Sequence, residues 1–344
     1  MKAIVQTGPE AVEVQERDRP DVGPDEALVR VHSAGLCGSD AHAYKYEGGY
    51  EWIPFPRIMG HEYAGEVVEV GEAVTDLAIG QTVVEHPVHT CGHCFQCLNG
   101  QANVCQEFSI TGMHRDGAWA EYTAVDAEFL HRVPDGVAPA DAAITEPTSI
   151  ATRAVIERST TAPGDDVLVE GPGPIGVLTA AVADAQGASV LVSGLERDAN
   201  YRLPLVAELG IETVDASTED LDTVAADFTE GTGFDVVFDT TGHRSGVEMA
   251  TEQVRKGGQI VVVGLPGASS ELFMTDLVRA EVDVTTSYAS LWPDFERALR
   301  LMEAGDIRAE KFVDRSFDIE DPDTAFEAML GAATCKPVFT FDGG

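Results

Sequence analysis

Apolar residues recur at two different periods along the chain, and the period changes near residue 150. Before that point, short runs such as 27–31 and 64–71 alternate apolar and polar residues between glycine-rich turns, which is typical of β-strands. Beyond it, short apolar runs predict strands at 166–170, 189–193, 234–239, 259–263 and 282–286. The segments between these runs predict helices near 200–209, 219–229, 245–255 and 273–280. Alternating strands and helices predict a parallel sheet covered on both faces, and so an α/β fold class.

The last part of the chain adds one helix and one strand to this picture. Residues 293–302 have the periodicity of an amphipathic helix, and 337–341 predict a strand that returns to the first domain. The sequence has no uninterrupted apolar run of the length of a membrane span. The N-terminal residues resemble a strand rather than a secretion signal, so we expect a cytoplasmic protein that is not bound to a membrane.

The charge balance is strongly acidic, with 59 Asp and Glu against 22 Lys and Arg and a net charge of −37. The acids are interleaved with apolar segments, which argues against a disordered acidic tail. An acidic surface with only five lysines suggests a protein adapted to a salt-rich, halophilic cytosol, where salt screens the self-repulsion. The same charge makes nucleic acid an unfavourable partner.

The strongest chemical signal is the cysteine pattern Cys91, Cys94, Cys97 and Cys105. Four thiolates in one short segment satisfy a tetrahedral zinc ion and leave no open position, so this pattern predicts a structural zinc site. An iron–sulfur cluster also uses four cysteines, but its usual spacings differ.

A glycine-rich turn follows the strand predicted at 166–170. Gly171, Gly173 and Gly176 form the pattern G-x-G-x-x-G, with Pro174 and Ile175 at the start of the following helix. In this context the pattern predicts a dinucleotide-binding turn, in which the helix N-terminus faces the phosphates. The simpler alternative is a Pro/Gly turn between two elements.

A third signal is dispersed over more than 100 residues. Cys37, His61 and Glu146 are residue types that together form an open catalytic zinc site. Spacing alone does not bring them together, and an isolated His or Glu is more often a hydrogen-bonded structural residue or a surface acid.

Taken in order, these segments closely resemble the zinc-containing medium-chain dehydrogenases, in their sorbitol and threonine dehydrogenase branch. The resemblance covers essentially the whole chain. It implies a GroES-like, mainly β catalytic domain at residues 1–150 and 288–344, split by a Rossmann domain at residues 151–287. It also implies a homo-oligomer, a tetramer or a dimer.

The resemblance implies roles for single residues. Cys37 and His61 match catalytic zinc ligands, Glu146 matches the branch that has Glu at the third position, and Glu62 matches a residue that can exchange onto the metal. Ser39 and His42 match a proton relay. Zinc is expected to activate the substrate hydroxyl, and the nicotinamide to accept hydride.

The end of the second Rossmann strand departs from the usual pattern. Gly194 stands where NAD-preferring members have an acid, and Arg197 or Arg202 could bind a 2′-phosphate, which favours NADP. Glu196 or Asp198 in the same loop could instead bind the ribose and restore NAD.

The substrate expected from the resemblance is a small molecule with a secondary hydroxyl or the matching carbonyl: a polyol, a sugar or an alcohol. An aromatic segment at Tyr44, Tyr46, Tyr50 and Trp52 suits a polyol face as well as an apolar alcohol. Threonine 3-dehydrogenase is the alternative enzyme, and a nucleotide-binding protein on the same fold is the non-enzymatic one.

Overall fold

The strands and helices of this computed structural model, which describes residues 1–313 and 315–341, follow the two periods of the sequence. The strands are β1 (Lys2–Gly8), β2 (Ala11–Glu16), β3 (Glu26–Gly35), β4 (Arg57–Ile58), β5 (Glu62–Val70), β6 (Thr82–Glu85), β7 (Val88–His89), β8 (Ser109–Ile110), β9 (Tyr122–Asp126), β10 (Leu130–Arg132), β11 (Asp166–Glu170), β12 (Ser189–Gly194), β13 (Glu212–Asp215), β14 (Phe234–Asp239), β15 (Val254–Val262), β16 (Asp283–Thr286), β17 (Arg315–Asp318) and β18 (Pro337–Thr340).

The helices connect these strands. They are α1 (Gly38–Lys45), α2 (Phe95–Leu98), α3 (Thr145–Thr152), α4 (Pro174–Ala185), α5 (Arg202–Glu208), α6 (Leu221–Phe228), α7 (Arg244–Gln253), α8 (Met274–Ala280), α9 (Trp292–Ala304), α10 (Ala309–Phe312) and α11 (Pro322–Leu330). A π-helical turn at Arg153–Glu157 follows α3. Within the described residues, none of these helices is both long enough and apolar enough to cross a membrane.

The chain packs into two compact units. Met1–Glu146 and Ala289–Gly344 form the first, and Pro147–Tyr288 forms the second. The first unit is mainly β, with one sheet in the order β10-β6-β5-β3-β18-β17, where β9 also pairs with β3, and a smaller sheet in the order β2-β1-β4. The C-terminal strand β18 pairs antiparallel with β3, so the end of the chain returns to its beginning.

An aromatic cluster closes the core of the first unit. The ring of Trp119, fully buried, meets Phe326 and Phe339 edge-to-face at centroid distances of 5.6 and 5.3 Å. Its indole N–H donates to the Gly35 carbonyl at 3.1 Å. Burial of an indole requires such a polar partner, and the contact fixes the end of β3 directly before Cys37.

The second unit contains a six-stranded parallel sheet in the order β13-β12-β11-β14-β15-β16. Numbered within the unit, this order is 3-2-1-4-5-6, which is that of the Rossmann dinucleotide-binding fold. Leu168, Leu191, Val237 and Ile260 fill its interior on adjacent strands. The expected α/β class, with a mainly β part and a doubly wound part, is confirmed.

Candidate active site

Four cysteines meet in the segment around α2, as the sequence predicts. The Sγ–Sγ distances are 4.0 Å for Cys91–Cys97, 3.5 Å for Cys94–Cys97, 3.8 Å for Cys94–Cys105 and 3.5 Å for Cys91–Cys105. A tetrahedron with zinc–sulfur bonds of about 2.3 Å has edges of about 3.8 Å. The spacing of the four sulfurs therefore fits a zinc ion, which these four residues would hold.

Backbone amides support the same sulfurs. The N–H groups of Cys91 and Glu107 donate to Cys105 Sγ at 3.4 and 3.3 Å, and that of Cys94 donates to Cys91 Sγ at 3.3 Å. Donors directed at sulfur stabilise the thiolate, which is the form that binds metal. Backbone amides thus support two of the four sulfurs, those of Cys91 and Cys105.

A second group of metal ligands forms from distant parts of the sequence. Atoms of Cys37, His61 and Glu62 all lie within 4.8 Å of one another. Cys37 is the N-cap of α1, and His61 and Glu62 stand at the start of β5. Gly35 is paired with Glu62 across β3 and β5, and any side chain at Gly35 would collide with the Glu62 carboxylate. The glycine therefore leaves the room that the carboxylate occupies.

Two buried charged residues hold this group in place. Asp40 accepts a hydrogen bond from the Cys37 N–H at 3.0 Å, and its other oxygen lies 3.5 Å from His61 Nδ1. Lys336 Nζ donates to both Glu62 oxygens at 2.7 Å and to the Leu36 carbonyl at 3.2 Å. Such contacts orient ligands and fix the imidazole tautomer.

Glu146 is partly buried in the first turn of α3, within electrostatic range of the same group. Burial raises its pKa to about 7, with Glu62 and Asp40 adding to the rise and His61 and Lys336 opposing it. Burial disfavours protonation of His61, yet Asp40 and Cys37 raise the pKa of its imidazole well above the ordinary value. Acids outnumber bases here, which is the environment that a divalent cation would neutralise.

The two residues expected to form a proton relay, Ser39 and His42, both lie on α1, one turn apart. The side chain of His42 is 51% exposed, and its ring is parallel to that of Tyr50 at a centroid distance of 6.1 Å. Ser39 is partly buried near the start of the helix. The structure thus places His42 where it can exchange protons with solvent, and Ser39 closer to Cys37 along the chain.

The glycine-rich turn has the geometry that dinucleotide binding needs. Gly171 has φ +92°, and a side chain at Gly173 would meet open space, so the backbone there is accessible. A side chain at Gly176 would collide with the Gly171 carbonyl. Pro174 starts α4 and Ile175 follows, both partly exposed. The three positions thus have the properties that a dinucleotide-binding turn requires of its glycines: a tight turn, an accessible backbone and close packing.

The loop after β12 separates the two candidate arginines. Both contact Asp198, but Arg197 is 71% exposed with its Nε 3.8 Å from the carboxylate, whereas Arg202 is buried and lies 3.4 Å from it. Asp198 also accepts the Leu195 N–H at 3.2 Å, so this acid is part of the loop's own structure. Glu196 is exposed, and its N–H donates to Ser217 Oγ at 2.8 Å. Gly194 ends β12 against Leu203 and Pro172.

Lys336 is the site residue that sequence reasoning missed. One signal could have pointed to it: lysine occurs five times in the chain, and this one directly precedes an apolar strand. A lysine kept beside a buried strand needs an acidic partner.

Comparison with known proteins assigns the chain to a family. The alcohol dehydrogenase GroES-like domain matches residues 23–135, and the zinc-binding dehydrogenase domain matches residues 174–304. A sorbitol dehydrogenase from Halalkalibacterium halodurans is 34% identical over 99% of both chains. An L-threonine 3-dehydrogenase from Shewanella loihica is 30% identical over 99% of this chain and 100% of its own.

A solved structure agrees with these relatives. A zinc-binding dehydrogenase from Sinorhizobium meliloti 1021, bound to NADP, superposes with a TM-score of 0.91 at 30% identity and 99% coverage of both chains. The chain therefore belongs to the zinc-binding medium-chain dehydrogenases. It is an oxidoreductase of the alcohol and polyol class that uses zinc and NAD(P), as expected from the sequence.

Proposed function

We propose that the chain oxidises a secondary hydroxyl of a polyol or sugar at a metal centre held by Cys37, His61 and Glu62, with Glu146 beside it. The observation that carries this proposal is the convergence of the first three within 4.8 Å of one another. The first unit, which contains these residues, is proposed as the catalytic domain, and the second as the nucleotide-binding domain.

Each residue of the site has a separate proposed role. Cys37, His61 and Glu62 would hold a zinc ion that would polarise the substrate hydroxyl, and nicotinamide on the second unit would accept hydride. Asp40 orients the His61 imidazole, and Lys336 balances the charge of Glu62. Ser39 and His42 carry the released proton outward, since the half-exposed His42 imidazole can pass a proton to solvent.

An aromatic segment supports a polyhydroxylated substrate. Trp52 is 49% exposed and packs on His114 at a centroid distance of 4.3 Å. Tyr44 instead packs against Phe326 at 4.2 Å, so its ring is not free for a substrate. Gly112 and Gly117, which flank His114, pack against the backbone of Gly60, next to His61. An exposed indole held by a second ring suits the C–H face of a sugar or polyol.

Threonine 3-dehydrogenase activity is the second candidate. The similarity to L-threonine 3-dehydrogenases, at 30% identity over essentially the whole chain, favours it. The two candidates differ in the charge of the substrate, since threonine carries an ammonium and a carboxylate and a polyol carries neither.

The exposed arginine favours NADP as the cofactor. Arg202 is buried against Asp198, whereas Arg197 is 71% exposed beside the same carboxylate, so Arg197 is the residue proposed to bind the 2′-phosphate. The Arg197→Ala variant should raise the Kd for NADP about tenfold and leave that for NAD unchanged. Arg132→Ala, which removes an exposed arginine in the other unit, is the control.

The setting proposed for the enzyme is a salt-rich cytoplasm. All six cysteines are free, which suits a reducing compartment, and the net charge is −37. A homo-oligomer, a tetramer or a dimer, is proposed because Phe273, Met274 and Val278 around α8 are exposed by 58–71%. Light scattering in molar KCl would give the oligomeric state.

A spectrophotometric screen tests the function. The zinc-loaded protein in molar KCl is offered NADP or NAD with sorbitol and other polyols, sugars, simple secondary alcohols and threonine, and nicotinamide reduction is followed. Reduction with polyols or sugars supports the proposal. Reduction with threonine alone favours the second candidate, and no reduction by folded, zinc-loaded protein contradicts both.

A further inference from the structure

Two buried carboxyl groups lie side by side at the start of the phosphate-binding turn. Glu170 is the last residue of β11 and Asp239 the last of β14, and they are paired in register in the parallel sheet. Both are 0% exposed. Neighbours in register on parallel strands project to the same face, so these two side chains share one pocket.

The two carboxyl groups have different surroundings. One oxygen of Asp239 accepts hydrogen bonds from the N–H and the hydroxyl of Thr241, at 3.0 and 2.7 Å. Gly246 in the first turn of α7 packs against the same oxygen, so the positive end of that helix faces Asp239. In the part of the chain that the structure describes, neither oxygen of Glu170 has a donor.

This difference decides which group carries a proton. An ionised carboxylate without donors is far more costly to bury than one that accepts two hydrogen bonds. Burial raises the pKa of Glu170 to about 9, and the neighbouring Asp239 adds to the rise. Burial also raises the pKa of Asp239, but Thr241 opposes that rise. Glu170 is therefore the neutral acid and Asp239 the anion.

Few other charges act on the pair. Asp239 is the single charged group that acts on Glu170 among the described residues, and its partner in register on β12 is the uncharged Ser193. His243, the N-cap of α7, is the titratable group that reaches Asp239 from that helix. The charge of Glu170 is thus set mainly by its own proton.

The backbone links Glu170 directly to the turn. Thr240 Oγ1 donates to the carbonyls of Glu170 and Gly171 at 2.7 and 2.9 Å. The Gly171 N–H donates to the Ser193 carbonyl at 2.9 Å. A second negative charge in this pocket would repel Asp239, and it would add to the field that opposes the cofactor phosphates.

We propose that Glu170 is a positioning residue for the dinucleotide: held as a neutral acid beside ionised Asp239, it keeps the phosphate-binding turn in its binding form, and loss of its proton releases the cofactor. This role depends on nicotinamide-nucleotide binding, which the family establishes, and not on the substrate. Cofactor affinity should therefore fall at alkaline pH, and the three glycines of the turn do not account for this fall.

Binding of NADPH to the whole zinc-loaded protein, followed by nicotinamide fluorescence from pH 7 to 10, tests this role. If only the acid form binds, the Kd rises about tenfold at one pH unit above the pKa. The Glu170→Gln variant, which keeps the shape without the proton, should have a Kd that changes less than about twofold over the same range. Glu212→Gln, at an exposed position on β13, should behave as the parent protein.

A second variant tests the pairing and covers the case in which Glu170→Gln fails to fold. Asp239→Asn removes the repelling charge, so the alkaline rise in Kd should begin at a lower pH. Infrared absorption of a protonated carboxyl should also be present in the parent at pH 7 and lost by pH 10. A parent Kd that is flat across this range, or a rise that Glu170→Gln shares, would overturn the proposal.

Discussion

Two groups of metal-ligating side chains lie in the first unit, and they are built in opposite ways. Cys91, Cys94, Cys97 and Cys105 come from one segment of fifteen residues and are ligands of one kind. The group of Cys37, His61 and Glu62 contains three kinds of ligand, which come from the N-cap of α1, the residue before β5 and the first residue of β5. Asp40 and Lys336 contact these ligands.

The difference shows what each group requires from the fold. Four thiolates fill every position of a tetrahedral ion, so the lobe needs only its own backbone amides for support. Three mixed ligands would leave a position of a bound zinc ion open for substrate, and their net charge and orientation would then have to be set by other residues. The group of Cys37, His61 and Glu62, here called the open centre, is therefore surrounded by buried charged residues. The four-cysteine lobe, here called the closed lobe, is not.

Removal of one ligand from the open centre should have the largest effect. The Cys37→Ser variant should lose at least about 1,000-fold in kcat/KM, equivalent to roughly 4 kcal/mol of transition-state stabilisation. Elemental analysis should find one zinc per chain instead of two, with an unchanged circular dichroism spectrum. Full activity in this variant would show that the metal centre lies elsewhere.

Removal of one ligand from the closed lobe should affect stability rather than chemistry. Zinc binding to four-ligand peptides supplies on the order of 10 kcal/mol of folding free energy. In the Cys97→Ser variant we expect the melting midpoint to fall by roughly 10 °C and the lobe to become sensitive to protease. Protein that remains folded should keep one zinc and its kcat. A selective loss of kcat at constant stability would break the division between the two groups.

The same contrast explains what could be predicted from the sequence. The lobe and the glycine-rich turn are local patterns, and their residues are adjacent in the structure because they are close in sequence. Five of the six parallel strands are equally local, since each contains a short apolar run between helices. The sixth, β13, has the sequence Glu-Thr-Val-Asp with one buried residue, and its apolar signal is too short to predict a strand. For the lobe, the turn and the other five strands, spacing along the chain is nearly the same information as distance in space.

The surroundings of the open centre are not local. Lys336 reaches Glu62 only because β18 pairs with β3, some 300 residues earlier in the chain. Neither residue type nor spacing reports such a pairing. Arg202 is a similar case, because its ion pair with Asp198 depends on the fold of the loop that joins β12 to α5. Sequence alone suggested a free arginine for a phosphate there.

A test of the buried charge pair sharpens the comparison further. Lys336→Met leaves the Glu62 carboxylate buried without a counter-charge, so the free energy of unfolding should fall by about 3–5 kcal/mol. Restoring neutrality in Lys336→Met/Glu62→Gln should recover much of this loss. As a control, Lys2→Met removes the half-exposed pair with Glu320 and should leave the free energy of unfolding almost unchanged. Denaturant titration gives all three values.

Each exposed acidic residue should have the smallest effect of all on stability. At a net charge of −37, transfer from molar to about 0.1 M KCl lengthens the screening distance to roughly 10 Å and strengthens repulsion between exposed carboxylates. We expect the melting midpoint to fall by roughly 5–10 °C, spread over many residues. The pair of Lys336 and Glu62 is buried, so salt should not screen it, and activity per folded molecule should stay constant. Activity that falls faster than the folded fraction would mean that the open centre, too, depends on the ionic surroundings of the surface.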